Sequence, residues 1–243
     1  MGAAFGWGLL AASSLVIGAI AALVVRIEAR VIGLIMGFGA GVLISAISFD
    51  LVEEAIDKGP DQWAPLLGIL AGCLAFFGGD LLISRYGGAD RKDSRGAQEE
   101  GSPLAIVLGT VLDGIPESLV IGLTIVEGGG VGTAYLAAVF ISNLPEAISS
   151  TSGLVASGWQ KSRILWMWIG IALVSGFSSL LGYSLFEDAS PDTVAFILTF
   201  AAGGILAMLA ETMMPEAFAH GGKLVGIATT LGFVVAFGIH QLD

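Results

Sequence analysis

Two short motifs place carboxylate side chains in the middle of apolar stretches of this chain. The first, Asp113–Ser118, reads Asp-Gly-Ile-Pro-Glu-Ser, and the second, Ser142–Ala147, reads Ser-Asn-Leu-Pro-Glu-Ala. A charged side chain at the centre of a membrane-spanning helix costs about 2.5–3.5 kcal/mol on insertion scales, so it needs a partner or a water-filled cavity. The acids of these two motifs are therefore the first candidates for chemistry.

Helical spacing gathers the polar side chains of each motif onto one face of its helix. Asp113 and Glu117 are four residues apart, and Asn143 and Glu146 are three apart, and both spacings bring side chains together on a helix surface. At about 1.5 Å per residue, both pairs fall near the middle of their apolar stretches. Each proline removes an amide hydrogen and so frees a backbone carbonyl one turn earlier. We expect the two faces to meet at mid-depth.

Carboxylate, amide and hydroxyl oxygens in one place suit a hard or borderline divalent cation. Three carboxylates at close range cannot all stay ionised unless a cation lies among them or protons are bound. Because no imidazole or thiolate lies among these groups, Mn²⁺ or Fe²⁺ should compete against Zn²⁺ better than at a histidine-rich site. The alternative is that the groups bond to one another and only fix the packing of two helices. The predicted metal ligands are Asp113, Glu117, Ser142, Asn143 and Glu146.

Other polar residues inside apolar stretches, or at their ends, are candidates for a pathway to and from this site. They are Asp50, Asp80, Glu211 and His220. The alternative for the acids is that they lie at helix ends and are simply hydrated. The alternative for His220 is that it is a solvated histidine at the membrane interface. The sequence leaves both interpretations open.

The composition is that of an integral membrane protein. Of 243 residues, 55% are hydrophobic and only 13% are charged, and the mean hydropathy is +0.88, far above the value of soluble domains. The single cysteine, Cys73, excludes a disulfide within the chain, and the net charge of −11 argues against a nucleic-acid partner. No pairing of a nucleophile with a base stands out, so we expect neither an enzyme nor an organic cofactor.

Eight stretches are long and apolar enough to span a bilayer, which takes about 20 residues. They predict an all-α polytopic membrane protein with one transmembrane domain over residues 1–243. The predicted spans are 5–25, 31–54, 63–85, 104–126, 131–156, 163–186, 192–217 and 223–241, with a polar loop at 86–103.

Basic residues orient the predicted spans. Nine of the ten lysines and arginines fall in the odd-numbered connections, and only Lys58 lies on the opposite side. Positive residues concentrate in cytoplasmic loops, so we expect the 86–103 loop in the cytoplasm and both termini outside, extracellular or periplasmic. No basic region precedes the first stretch, which favours a retained span over a cleaved leader.

A short internal repeat links the second and seventh predicted spans. Phe38–Leu43 and a later Glu54-Ala55 pair match Phe200–Ile205 and a later Glu216-Ala217 pair at the same spacing. Because these spans point in opposite directions, spans one to three and six to eight form a predicted inverted repeat around spans four and five. Such a 3+2+3 arrangement is typical of secondary transporters. A chance match between two Gly/Ala-rich helices is the alternative.

The paired Pro-Glu motifs, the eight spans and the cytoplasmic loop after the third span resemble the ZIP (Zrt/Irt-like) family of divalent metal transporters. The resemblance implies a multi-pass protein in the lipid bilayer of a prokaryotic inner or plasma membrane. Its substrate would be Zn²⁺, Fe²⁺ or Mn²⁺, moved toward the cytoplasm by alternating access. Closely spaced glycines at 33, 37 and 41 also allow close helix contact and a homodimer.

The resemblance also implies a binuclear metal site. In this sequence it carries over onto Asp113, Gly114, Glu117, Ser142, Asn143 and Glu146, and Ser179 matches an acidic ligand of the sixth span.

Departures from the family pattern weaken one of the two implied metal positions. Asp113 stands where the family has a histidine, Gly114 replaces an asparagine, and Ser118 and Ala147 replace glycines. Two other interpretations therefore stay open. One is a non-transporting membrane sensor or partner-binding protein with a degenerate site, and the other is a proton-linked transporter of another small solute, in which the carboxylates relay protons.

Overall fold

The protein is helical throughout the part of the chain that the computed structural model describes, which comprises residues 1–58, 63–87, 91, 103–126 and 132–242. Helix accounts for 91% of the structure and the described residues contain no strand, so the predicted all-α class is confirmed. Of the predicted cytoplasmic loop, residues 88–90 and 92–102 lie outside the described residues.

The described part of the chain contains ten α-helices. They are α1 (Gly2–Val24), α2 (Ala29–Ala46), α3 (Glu54–Lys58), α4 (Trp63–Ser84), α5 (Pro103–Val126), α6 (Thr133–Ala156), α7 (Lys161–Phe186), α8 (Pro191–Met208), α9 (Met214–Gly221) and α10 (Val225–His240). The π-helical segment Ile47–Glu53 joins α2 to α3, and a second one, Leu209–Met213, joins α8 to α9. The predicted second span at 31–54 is thus the central part of a continuous helical segment that runs from Ala29 to Lys58.

Capping residues explain where α8 begins. Ser190 is the residue before the first turn, and its hydroxyl oxygen accepts a hydrogen bond from the Thr193 amide at 3.3 Å. Pro191 occupies the first helical position, where its missing amide hydrogen has no partner to lose. This local sequence stops the preceding connection and starts the helix close to the predicted position 192.

Within the described residues, six helical segments are long and apolar enough to cross a membrane, which confirms a multi-pass membrane protein. They are Gly2–Val24, Ala29–Lys58, Trp63–Ser84, Ile106–Val126, Lys161–Phe186 and Pro191–His240. Helix α6 has 24 residues, but its polar motif lowers its hydropathy. Helix α4 buries only a few of its side chains, so most of its leucines lie exposed on the surface of the helical bundle.

The last of these segments contains a reversal of chain direction. A methyl group added at Gly39 would touch Met213, and one at Gly33 would touch Ala217, so α9 runs antiparallel to α2. Farther along, Val225 lies against Gly37, and α10 then continues parallel to α2. The chain turns at Gly222, whose φ of +61° is a conformation that glycine adopts without strain.

Two helix pairs, α2 with α10 and α4 with α8, pack through equivalent glycines. In each pair a glycine of one helix lies directly against a backbone carbonyl of the other, with no room for a side chain. The four contacts are Gly72 with Phe200, Gly232 with Phe38, Gly41 with Thr229, and Gly203 with Ile69.

The two π-helical segments stand at equivalent positions of the internal repeat. Ile47 begins the first segment and Leu209 the second, and each follows its copy of the repeated glycine motif at the same distance. A π-helical turn carries an extra residue and re-aims the side chains that follow it. Asp50 and Glu211 both lie inside these turns.

Candidate metal site

A small enclosed cavity lies where α1, α5, α6 and α7 meet. Its polar lining includes Glu117 of α5 together with Asn143 and Glu146 of α6. All three side chains are buried, with exposed fractions of 2%, 6% and 5%. The cavity has about 10 Å³ of free volume, which is roughly what one water molecule requires. The two motif faces thus meet in this cavity, as their helical spacing predicts.

The two prolines hold these faces against glycine-rich neighbours. Pro116 lies beside Gly204 of α8, where an added methyl group would be 3.8 Å from the ring, and Pro145 lies beside Gly39 of α2, where it would be 2.9 Å away. Ser118 donates its hydroxyl hydrogen to the Gly114 carbonyl at 2.8 Å. The motif helices are thus positioned by close packing on α2 and α8.

Asp113 is bound by an arginine. The Arg91 Nε donates to Asp113 Oδ2 and Nη2 to Oδ1, both at 2.9 Å, a two-pronged geometry that is the strongest form of this pairing. Both side chains are buried, with exposed fractions of 0% for Arg91 and 2% for Asp113. Burial by itself would lower the pKa of Arg91, but the charges and hydrogen bonds of Asp113 and Asp80 outweigh it and raise that pKa.

The predicted ligand set is therefore divided by the structure. Glu117, Asn143 and Glu146 line the cavity, whereas Asp113 faces Arg91 and the Ser142 hydroxyl donates to the Val139 carbonyl at 3.0 Å. Within the described residues, no three His, Cys, Asp or Glu side chains are grouped as a metal ion would need. A guanidinium thus neutralises Asp113, whereas the expectation that Glu117 and Glu146 need a metal ion or bound protons stays a prediction.

Helix α7 contributes a serine to the cavity, one turn before the predicted position. Ser175 lines the cavity, whereas the Ser179 hydroxyl donates to the Ala4 carbonyl at 2.8 Å in the contact between α7 and α1. Ser179 thus serves helix packing here, and Ser175 is the residue of the sixth predicted span that faces the site.

The other predicted pathway residues lie on two sides of the site. Asp80 accepts a hydrogen bond from Ser84 at 3.2 Å, and its Oδ1 is 2.7 Å from Arg91 Nη1. Glu211 is exposed and lies within electrostatic range of Asp80 and Arg91. His220 Nε2 is 2.7 Å from Glu216 Oε1, so this histidine is held by its own helix.

Asp50 belongs to a larger cavity, of about 530 Å³, at the other end of the site. Its Oδ1 is 2.7 Å from His240 Nδ1, and the His240 ring stands over Phe49 with 5.5 Å between ring centres. The acids that line this larger cavity, the vestibule, are Asp50, Glu53, Glu54 and Asp57.

Tyr135 lies between the vestibule and the small cavity of Glu117, the central cavity. Its side chain lines the vestibule and is buried, with an exposed fraction of 2%. Its hydroxyl has no hydrogen-bond partner among the described residues. It interacts electrostatically with both Glu117 and Asp50. Tyr135 is not evident from the sequence, because a lone tyrosine at the start of an apolar stretch belongs to no motif.

Comparison with known proteins identifies metal transporters as relatives. No protein-family model matches the chain. A protein of Arabidopsis thaliana, provisionally named a zinc transporter, is 27% identical over 205 residues, which cover 83% of this chain and 32% of the relative. The zinc transporter ZupT of Salmonella heidelberg (strain SL476) is 27% identical over 202 residues, 77% of this chain and 76% of the relative. The chain spans about a third of the plant relative's length.

Proposed function

Since this chain is a relative of the ZIP-family zinc transporters, as its Pro-Glu motifs predict, we propose that it carries a divalent metal cation across the membrane toward the cytoplasm. The observation that carries this proposal is the meeting of Glu117, Asn143 and Glu146 in a buried cavity of α5 and α6. Two carboxylates and an amide oxygen are ligands for a divalent cation, and acids inside membrane-spanning segments typically mark ion pathways.

The proposed transport movement shifts one bundle of helices against another. The residues that line the central cavity come only from α1, α5, α6 and α7, so a metal bound there would travel with these four helices. The pairs of α2 with α10 and α4 with α8, locked by glycine contacts, would form the frame. Such movement around a site near mid-depth provides alternating access.

The proposed topology has eight spans with both termini outside. The parallel course of α2 and α10, the reversal at Gly222 and the matched glycine contacts all support an inverted repeat of three helices on each side of α5 and α6. In this topology Arg91 and Asp80 lie toward the cytoplasm, and the vestibule of Asp50 lies outside.

Uptake into proteoliposomes tests the proposed function directly. We expect purified protein in liposomes to accumulate Zn²⁺ above the level of empty liposomes, and we expect Mn²⁺ and Fe²⁺ to inhibit this uptake at similar concentrations, because the cavity offers oxygen ligands without imidazole. If liposomes that contain the protein accumulated no more Zn²⁺, Mn²⁺ or Fe²⁺ than liposomes without protein, transport would be contradicted.

A degenerate, non-transporting relative is the second candidate. It is favoured by Gly114, which has no side chain to coordinate a metal, and by the engagement of Asp113 with Arg91. Calorimetry on the purified protein separates the two functions, since a degenerate site should bind divalent ions no more tightly than about millimolar. A proton-linked carrier of another solute would instead show uptake driven by a pH gradient without metal.

The vestibule is expected to increase the capture rate of the metal. Asp50→Asn keeps the shape of the side chain but removes a charge beside His240, so we expect the KM for metal uptake to rise about threefold to tenfold with little change in maximal rate. Glu187→Gln, an exposed acid on the same side, is the matched control and should leave KM unchanged. An equal rise in both variants would indicate general surface charge rather than a vestibule.

A further inference from the structure

Arg91 fills an acidic position one helical turn before Glu117. Its guanidinium is fully buried, it holds Asp113 through two hydrogen bonds of 2.9 Å, and its third nitrogen lies 2.7 Å from Asp80. Glu211 adds a third carboxylate within electrostatic range. Acids from α4, α5 and the second π-helical segment therefore surround one cation, which comes from the connection between α4 and α5.

The chain makes room for this side chain. Gly109 lies on α5 one turn before Asp113, and a methyl group there would collide with Arg91 Cδ and lie 2.9 Å from Nε. Alanine would otherwise be the better residue inside a helix. The space that the Arg91 side chain occupies is thus left free by Gly109 of α5, which has no side chain.

Deprotonation cannot release Arg91 from Asp113, because an arginine keeps its charge throughout the physiological pH range. If the guanidinium moved away, Asp113 would remain buried without a cation, which is strongly unfavourable, and the partly buried Asp80 would lose its partner as well. A proton or another cation must therefore take its place. Because Asp113 and Glu117 are four residues apart on α5, their side chains are neighbours on the helix surface, so a divalent cation bound at Glu117 and Glu146 would lie about one helical turn from Asp113.

We propose that Arg91 is a tethered cation that competes with the transported metal for Asp113 and thereby sets the metal affinity of the site. This inference rests on the proposed transport function. In the metal-free protein Arg91 neutralises Asp113, and an arriving divalent cation displaces it. The apparent affinity for the metal equals the intrinsic affinity multiplied by the fraction of molecules in which the arginine has left, so it is low when that fraction is small. A carrier benefits from this, since its site must also release the metal.

Calorimetric titration of the full-length protein with Zn²⁺ alone tests the competition. Arg91→Gln removes the competing charge, and we expect its Kd to fall on the order of tenfold or more, because the competent state of a two-state protein is often a minor one. Arg91→Lys keeps the charge but loses the two-pronged geometry, so we expect an intermediate Kd. Gly109→Ala alters no charge but expels the arginine, and we expect it to tighten Zn²⁺ binding as well.

A double variant and a thermal measurement separate competition from a structural role. The gain in Arg91→Gln should disappear in Arg91→Gln/Asp113→Asn, because Asp113 is the group for which the two cations compete. Zn²⁺ should raise the Tm of Arg91→Gln more than that of the wild type, whereas a purely structural arginine would lower Tm equally with and without Zn²⁺.

The outcomes distinguish this inference from the proposed function. Binding of Zn²⁺ with the same Kd in the wild type, Arg91→Gln and Gly109→Ala would overturn the role of Arg91 and leave transport standing. Absence of Zn²⁺ binding in every variant, the wild type included, would overturn both.

Discussion

Replacing Glu117 or Glu146 by glutamine is expected to reduce metal uptake by at least about 100-fold, since loss of a residue that only supports a metal ligand typically costs 10–100-fold. Both carboxylates line the same small cavity, and each supplies a negative charge that an amide cannot replace when a divalent cation is bound. Glutamine keeps the volume of the side chain, so the close packing around the cavity is retained. Initial rates of Zn²⁺ uptake into proteoliposomes, at matched protein content, measure the effect.

The control for this experiment is an acid outside the cavity. Glu28 is exposed at the start of α2, and Glu28→Gln should transport at the wild-type rate. Unchanged uptake by both Glu117→Gln and Glu146→Gln would show that the central cavity is not the metal site. Loss of uptake together with a loss of monodisperse protein would point to a folding role instead, which is why the Tm of each variant is measured alongside.

The central cavity could be predicted from the sequence because the information is local. The four-residue and three-residue spacings define helix faces, and the cost of charge in a membrane makes those faces turn inward. Glu117, Asn143 and Glu146 meet as these two rules require. The same rules predicted Asp113 on the face of Glu117, but they contain nothing about which cation neutralises it.

Arg91 could not be predicted as part of the site because it lies in a polar connection. Its neighbours in the sequence include Asp90, Lys92 and Asp93, a composition typical of a hydrated loop, and its count among the basic residues served only to orient the spans. The one local hint is Gly109, whose missing side chain provides the space. A glycine inside a helix has many other causes, so the hint gains meaning only from the three-dimensional contact.

The choice between Ser175 and Ser179 was beyond sequence reasoning for a different reason. Helix α7 contains serines at 175, 178 and 179, which are spread over more than one face, and the helix packs against both α1 and α5. A helix with two protein-facing sides has no single polar stripe to indicate which serine faces the site. The π-helical segments were missed similarly, because their extra residue has no compositional signature, although they stand at equivalent positions of the repeat.

The matched glycine contacts predict a large and symmetrical loss of stability. Gly72→Ala would push a methyl group into the Phe200 carbonyl, and Gly232→Ala would push one into the Phe38 carbonyl. A backbone atom cannot rotate away as a side chain can, so the helices must separate. We expect each variant to lower the free energy of unfolding by about 3 kcal/mol, the upper end of typical overpacking costs. Unfolding of the purified protein by SDS in mixed micelles measures this loss.

Glycines that face open space on the same helices are the controls. Gly78 of α4 and Gly238 of α10 have no atom within 4 Å of an added methyl group, so alanine there should leave stability unchanged or raise it by up to about 1 kcal/mol through its better helix propensity. The two clashing variants should be affected to the same extent, because each removes the same contact from one half of the proposed repeat. A large loss in Gly72→Ala without one in Gly232→Ala would contradict the symmetrical frame, and with it the proposal that α2, α4, α8 and α10 stay fixed while the other helices move.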